Sequence, residues 1–255
     1  MNLHQLLLTR NACYISGKRH TVKGIMVHST GADNPELRRY VGPDDGLLGG
    51  NQYGNHWNTL YPSGISVCVH AFIGKLKDGS VAAYQTLPWD MAGWHSGNGS
   101  LGSASSANNS GYIGFEICED SLTDSVYFGK VYREAVELCA MLCKEYDIKP
   151  EKPYLICHSE GNSLGIASNH ADVMHWFPRH GKSMDSFRAD VKTELARQAG
   201  TLPSATERTV DNGVADGVLT DKAHWLGVLD GTIQPNREYI KTALDRYHSR
   251  LTEGK

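Results

Sequence analysis

Three short apolar runs each end beside a side chain able to bind a metal or carry a proton. Ile25-Met26-Val27 leads into His28, Ile113-Gly114-Phe115 into Glu116, and Tyr154-Leu155-Ile156-Cys157 into His158. Runs of this length and composition read as buried strands, so the residue that follows emerges at a strand end. Val67 to Ile73 reads as another strand. Lys77-Asp78-Gly79-Ser80 is a hairpin turn of the Asp-Gly kind, which leads into a strand from Val81 to Gln85. Between the last strands, Val131, Ala135, Leu138, Cys139, Leu142 and Tyr146 recur at helical spacing, predicting an amphipathic helix over 129–147 that Lys149-Pro150 ends. Ser183 can cap a second helix with Met184, Phe187, Val191 and Leu195 on its apolar face. About five strands interleaved with helices predict an α/β fold, a mixed central sheet with helices packed against it.

The chain length of 255 residues allows one large domain and a small one. Gly200-Thr201-Leu202-Pro203-Ser204 reads as a linker, separating a domain over 1–199 from a helical C-terminal module over 205–255. In that module Asp221 can cap a helix carrying Trp225, Val228 and Leu229. A last helix shows Tyr239, Ile240, Ala243, Leu244, Tyr247 and Leu251 on one face. Fifty residues make a marginal core alone, so the module is expected to dock or self-associate unless a ligand stabilises it. Residues 41–64 hold six glycines, and 98–111 are rich in Gly, Ser and Asn. Long loops of this kind flanking the strand-end residues are expected to line a groove.

A formal charge of −3 gives no basic footprint for nucleic acid, and no stretch has the length of a membrane span. Met1 to Arg10 lacks a signal h-region, so the expectation is synthesis in the cytoplasm. The six cysteines form no CxxC pair and read as reduced, buried thiols.

A single strand-end histidine is most simply a core histidine satisfied by backbone, but His28 and His158 repeat the arrangement. With no HExxH or CxxC motif, local spacing does not decide between core and metal. Glu116 has Glu119 and Asp120 as nearby alternatives for a carboxylate base, although strand alternation puts Glu116 and Glu119 on opposite faces. His175 and His180 suggest no role, and Trp176 and Phe177 read as core.

Taken in order, the motifs resemble a known family. Lys23 to Thr30 resembles the first-ligand strand of the zinc-dependent type 2 N-acetylmuramoyl-L-alanine amidases, which share a fold with peptidoglycan recognition proteins. Val69-His70-Ala71-Phe72-Ile73-Gly74 with Asp78-Gly79 resembles their histidine hairpin. Ala92-Gly93-Trp94-His95-Ser96-Gly97 is similar to their Ala-Trp-His-Ala-Gly segment, with a Gly inserted and Ser for Ala. Ile113-Gly114-Phe115-Glu116 resembles their Ile-Gly-Ile-Glu strand. The resemblance runs from Asn11 to about Val191.

What it implies is a zinc enzyme that cleaves the amide joining N-acetylmuramic acid to L-alanine in peptidoglycan. By position, His28 and His158 become zinc ligands. Asp172 becomes the third, fourteen residues past His158 where relatives need eight to ten, which requires an insertion near Gly161 to Ile166. His170 competes for the third place. It also stands where relatives hold an oxyanion-stabilising Lys. Glu116 resembles the water-activating carboxylate, and Trp94, His95 and His70 are the expected substrate-binding residues. A chain of this kind without a signal segment resembles a phage or prophage endolysin acting on the wall after release, its C-terminal module serving wall targeting or homodimer formation. The alternatives are a cytoplasmic amidase for recycled muropeptides and a recognition module that binds without cleaving.

Overall fold

The computed structural model describes residues 1–200, 205–229 and 231–253. The chain divides into two compact units, Met1–Leu195 and Ala196–Lys255. The linker expected at 200–204 lies, Gly200 apart, outside the described residues.

The first unit is built on a six-stranded sheet: β1 (Leu3–Gln5), β2 (Gly24–Ser29), β3 (Ala71–Lys75), β4 (Val81–Gln85), β5 (Tyr112–Ile117) and β6 (Leu155–Cys157). The spatial order is β1-β4-β3-β5-β2-β6. Only the β3–β4 hairpin is antiparallel; every other neighbouring pair runs parallel. The sheet is therefore mixed, as expected, with one strand more than the sequence suggested. β1 is three residues long, too short for alternation to be read. The strand expected from Val67 begins only at Ala71, because the Cys68 N–H donates outside the sheet, to the Trp94 carbonyl.

The helices of this unit are α1 (Ala12–Ser16), α2 (Ser125–Tyr146), α3 (His158–Ser163), α4 (Val173–Trp176) and α5 (Met184–Gln198), the last reaching past the division at Leu195. α2 starts at Ser125, four residues before the start expected at 129. Asp124 caps it, its carboxylate accepting from the Val126 and Tyr127 N–H groups. Period-2 alternation sends Ile25, Val27, Ile113, Phe115, Ile117, Leu155 and Cys157 into one core with α2, Trp176, Phe177 and Phe187. Met26, Gly114, Cys118 and Ile156 face the opposite side, and continuing that alternation places His28, Glu116 and His158 there too. β2, β5 and β6 are mutually parallel, so the three residues gather at the carboxyl ends of adjacent strands, a usual place for sites in open α/β sheets. Register pairs His28 directly with Glu116.

All six cysteines are buried and free. In the second unit the described helices are α6 (Ala205–Ala215), α7 (Lys222–Leu229) and α8 (Arg237–Glu253). Asp221 caps α7 through the His224 N–H at 2.9 Å. On the expected apolar face of α8, Tyr239, Ile240, Leu244 and Tyr247 are exposed, and the Leu251 side chain lies outside the described residues. Among the described residues no helix is long and apolar enough to cross a membrane.

Candidate metal and catalytic site

His28 and His158 turn their Nδ1 atoms toward each other, 3.1 Å apart. Asp172 Oδ2 lies 2.9 Å from His158 Nδ1 and 3.5 Å from His28 Nδ1, without the alignment of a hydrogen bond. Three donor atoms around a zinc at about 2.0–2.2 Å would stand roughly 3.3 Å apart, so the observed triangle has the right size. The donor set, two imidazoles and a carboxylate, also fits a zinc site that keeps a position open. Burial pushes the His28 imidazolium down. Burial alone would raise Asp172, but His158 and His28 more than offset it and hold the carboxyl below the usual range. Neutral imidazole and ionised carboxylate are the forms that ligate.

Each ligand is placed by local structure. His28 ends β2. His158 opens α3, whose first turn is closed by Glu160 accepting from the Cys157 N–H at 3.2 Å. Arg188 of α5 grips that carboxylate with both terminal nitrogens, at 2.9 and 3.1 Å, and donates to the Leu155 carbonyl at 3.1 Å. Asp172 precedes α4 with φ +45°, a conformation that a non-glycine residue holds only when its surroundings impose it. The fourteen-residue spacing is taken up by α3 and the turn after it. Leu101 N–H donates to the Gly165 carbonyl and Ala107 N–H to that of Ile166. The approach is so close that a Cβ on Gly99 would overlap the Gly165 carbonyl.

The Glu116 carboxylate lines the same cavity, of about 540 Å³, and its buried Oε2 has no hydrogen-bond partner. Burial raises its proton affinity well above the usual value, and the charges of Asp172 and Glu119 add to this. Trp94 and His170 line the cavity as well. His170 is not drawn into the ligand triangle; its Nδ1 bonds Ser168 Oγ at 3.0 Å.

Two residues expected to bind substrate are placed differently. His70 is fully buried and outside the cavity: Nε2 donates to the Met91 carbonyl at 2.7 Å and Nδ1 accepts from the Gly114 N–H at 3.0 Å. Burial pushes its pKa down to about 4, so it is a neutral structural link between two segments. His95 touches the cavity, but both its ring nitrogens are committed, Nδ1 to His28 Nε2 at 3.0 Å and Nε2 to the Tyr112 carbonyl at 3.2 Å. Its ring lies on Gly114, where a Cβ would overlap it, which explains the glycine of Ile-Gly-Phe-Glu.

Sequence reasoning passed over four residues here. His175, three positions beyond Asp172, lines the cavity with Nε2 3.0 Å from the buried Glu119 carboxylate. Ser168, Ser96 and Asn108 hold the loops behind the ligands. The spacing of His175 from Asp172 on one helical turn was a readable signal; the other three carry none.

A family model described as N-acetylmuramoyl-L-alanine amidase matches residues 18–179. The chain belongs to that family. The matched span contains all three candidate ligands and Glu116, and the enzyme is thus an amide hydrolase of the peptidoglycan amidase class. No curated protein matches the chain. Among solved structures, the amidase is similar to the Staphylococcus aureus hydrolase AmiA in complex with its ligand, at 18% identity and a TM-score of 0.56 over 79% of this chain and 87% of that one. It is also similar to the catalytic domain of XlyA, at 22% identity and a TM-score of 0.49 over 75% and 99%. The AmiA likeness shows the fold.

Proposed function

We propose that this amidase is a zinc enzyme cutting the amide between the lactyl carbonyl of N-acetylmuramic acid and the L-alanine nitrogen in wall peptidoglycan. The observation that carries the reading is the buried, unpartnered Oε2 of Glu116 in the cavity where Nδ1, Nδ1 and Oδ2 of His28, His158 and Asp172 converge.

Those three residues would hold the metal. Zinc, when bound, supplies Lewis acidity that brings a water's pKa to about 7 and polarises a carbonyl. Glu116 takes the proton of the attacking water and returns it to the departing alanine nitrogen. Its raised proton affinity suits both halves of that task. His170, at the exposed rim, turns Nδ1 to Ser168 and leaves Nε2 for the oxygen that gains charge during attack; it donates there when protonated. Trp94 and the apolar Ile65 and Val67 give one wall of the groove a surface for the sugar or the stem peptide. The separate C-terminal unit suits an enzyme working on intact walls, as an endolysin does.

Purified peptidoglycan digested with the full chain should yield new L-alanine amino termini on intact glycan strands, by mass spectrometry, and chelation should abolish them. Binding to walls of several chemotypes without release would replace this reading with that of a recognition module. Cleavage confined to soluble muropeptides would point to recycling.

A further inference from the structure

Behind the two histidine ligands run two hydrogen-bond chains that pass through neighbouring residues of one segment, His95 and Ser96. In the first, the Tyr112 carbonyl can only accept, so His95 donates from Nε2 (3.2 Å). Neutral His95 then accepts at Nδ1, so His28 donates from Nε2 (3.0 Å) and keeps a lone pair on Nδ1. In the second, the Ser96 carbonyl accepts the single hydroxyl proton of Ser168 (3.1 Å). Ser168 Oγ then has only lone pairs to offer, and His158 donates to it from Nε2 (3.2 Å) and His170 from Nδ1 (3.0 Å). His158 likewise keeps a lone pair on Nδ1. Both lone pairs face Asp172 Oδ2.

The chains meet at Asn108, 2% exposed. Its Oδ1 accepts from the His95 N–H (2.7 Å) and the Ser96 N–H (2.8 Å), while its Nδ2 donates to the Gly97 carbonyl (2.9 Å). One buried amide thus holds both the residue whose ring orients His28 and the residue whose carbonyl orients Ser168.

We propose that His95 and Ser168 are positioning residues that lock both histidines in the Nδ1-ligating tautomer, with Asn108 setting the two together. The inference rests on the zinc reading above. It concerns preorganisation, since a ligand whose tautomer and ring angle are set beforehand loses less freedom on binding. Removing such partners commonly weakens metal affinity 10–100-fold.

The test measures zinc dissociation constants by competition with a chromophoric chelator, using the full chain. Ser168→Ala and His95→Phe should each weaken binding about 10–100-fold. Ser168→Thr, which keeps the hydroxyl, should restore most of it. Asn108→Ala should weaken binding at least as much as either, and adding Ser168→Ala to it should give less than the product of the two effects. Variants that bind as tightly as wild type, or a Ser168→Thr that fails to rescue, overturn the inference while leaving the zinc reading standing. A wild type that takes up no zinc overturns both. A second readout does not depend on variant folding: in zinc-loaded, 15N-labelled protein, imidazole NMR should place the His28 and His158 protons on Nε2. Protons on Nδ1 would refute the assignment.

Discussion

Arg188 ties the helix that presents His158 to the rest of the catalytic unit, and Arg188→Met tests how much that tie contributes. The substitution removes both bonds to Glu160, the bond to the Leu155 carbonyl and one to Asp185. Asp185 is exposed, so its loss counts for little. The Arg188 and Glu160 side chains are only 8% and 16% exposed, and breaking a buried pair typically costs about 3–5 kcal/mol. Lys152 Nζ stays 2.7 Å from Glu160 from a largely exposed position, which brings the expected loss to about 2–4 kcal/mol. Glu160→Gln with Arg188→Met should recover most of the loss, since no uncompensated charge remains and the amide oxygen can still accept from the Cys157 N–H. The pH dependence has a definite sign. Burial alone would raise Glu160, but Arg188 and Lys152 leave it depressed. Its contribution is therefore present above the unfolded value of about 4.3 and lost as pH falls through the lower folded value. Wild type should lose stability across that acid window, and the double variant should lose less. Urea unfolding of metal-free protein at pH 7 and pH 3.5 measures all of this. A single-variant loss under about 1 kcal/mol, or a double-variant loss equal to the sum of the singles, would refute the reasoning.

Glu116→Gln should lower kcat by roughly 10²–10⁴-fold while zinc occupancy, read by metal analysis, stays full; loss of the metal would mean that Glu116 is a ligand. Asp172→Ala should abolish tight zinc binding, and retained full occupancy would return the third place to His170. Gly114→Ala should displace the His95 ring and cost about 1–3 kcal/mol in thermal unfolding, with weakened zinc binding, whereas Gly74→Ala on the neighbouring strand should leave zinc affinity unchanged. Ending the chain after residue 199 should preserve turnover of soluble muropeptides and reduce release from whole walls; equal loss on both would show that the C-terminal unit supports the catalytic one.

Much of the fold was legible because it depends on local periodicity. The apolar runs before His28 and His158 and around Glu116 announce strands, and alternation puts Glu116 and Glu119 on opposite faces without reference to any other part of the chain. α2 was legible in its apolar stripe but not at its start, because Asp124 acts through a cap rather than through hydrophobic spacing. β1 gave no signal at three residues. The exposed apolar stripe of α8 shows the reverse case, periodicity without burial.

At the site, the sequence by itself determined that His28, Glu116 and His158 follow strand-forming apolar runs; that β2 and β5 are neighbours with His28 opposite Glu116 came from the tertiary structure. A period-2 backbone leaves them no other face. Only the tertiary structure decided the rest. The burial of His70 depends on Met91 and Gly114 closing on its ring. The separation of His170 from the ligand triangle, the inward turn of Asp172 at positive φ and the commitment of both His95 ring nitrogens depend on how loops 92–111 and 164–172 are placed. So do the hydrogen bonds from Asn108 and Ser168. Loop backbones satisfy their polar groups with whatever the fold brings near, and spacing along the chain carries no record of that.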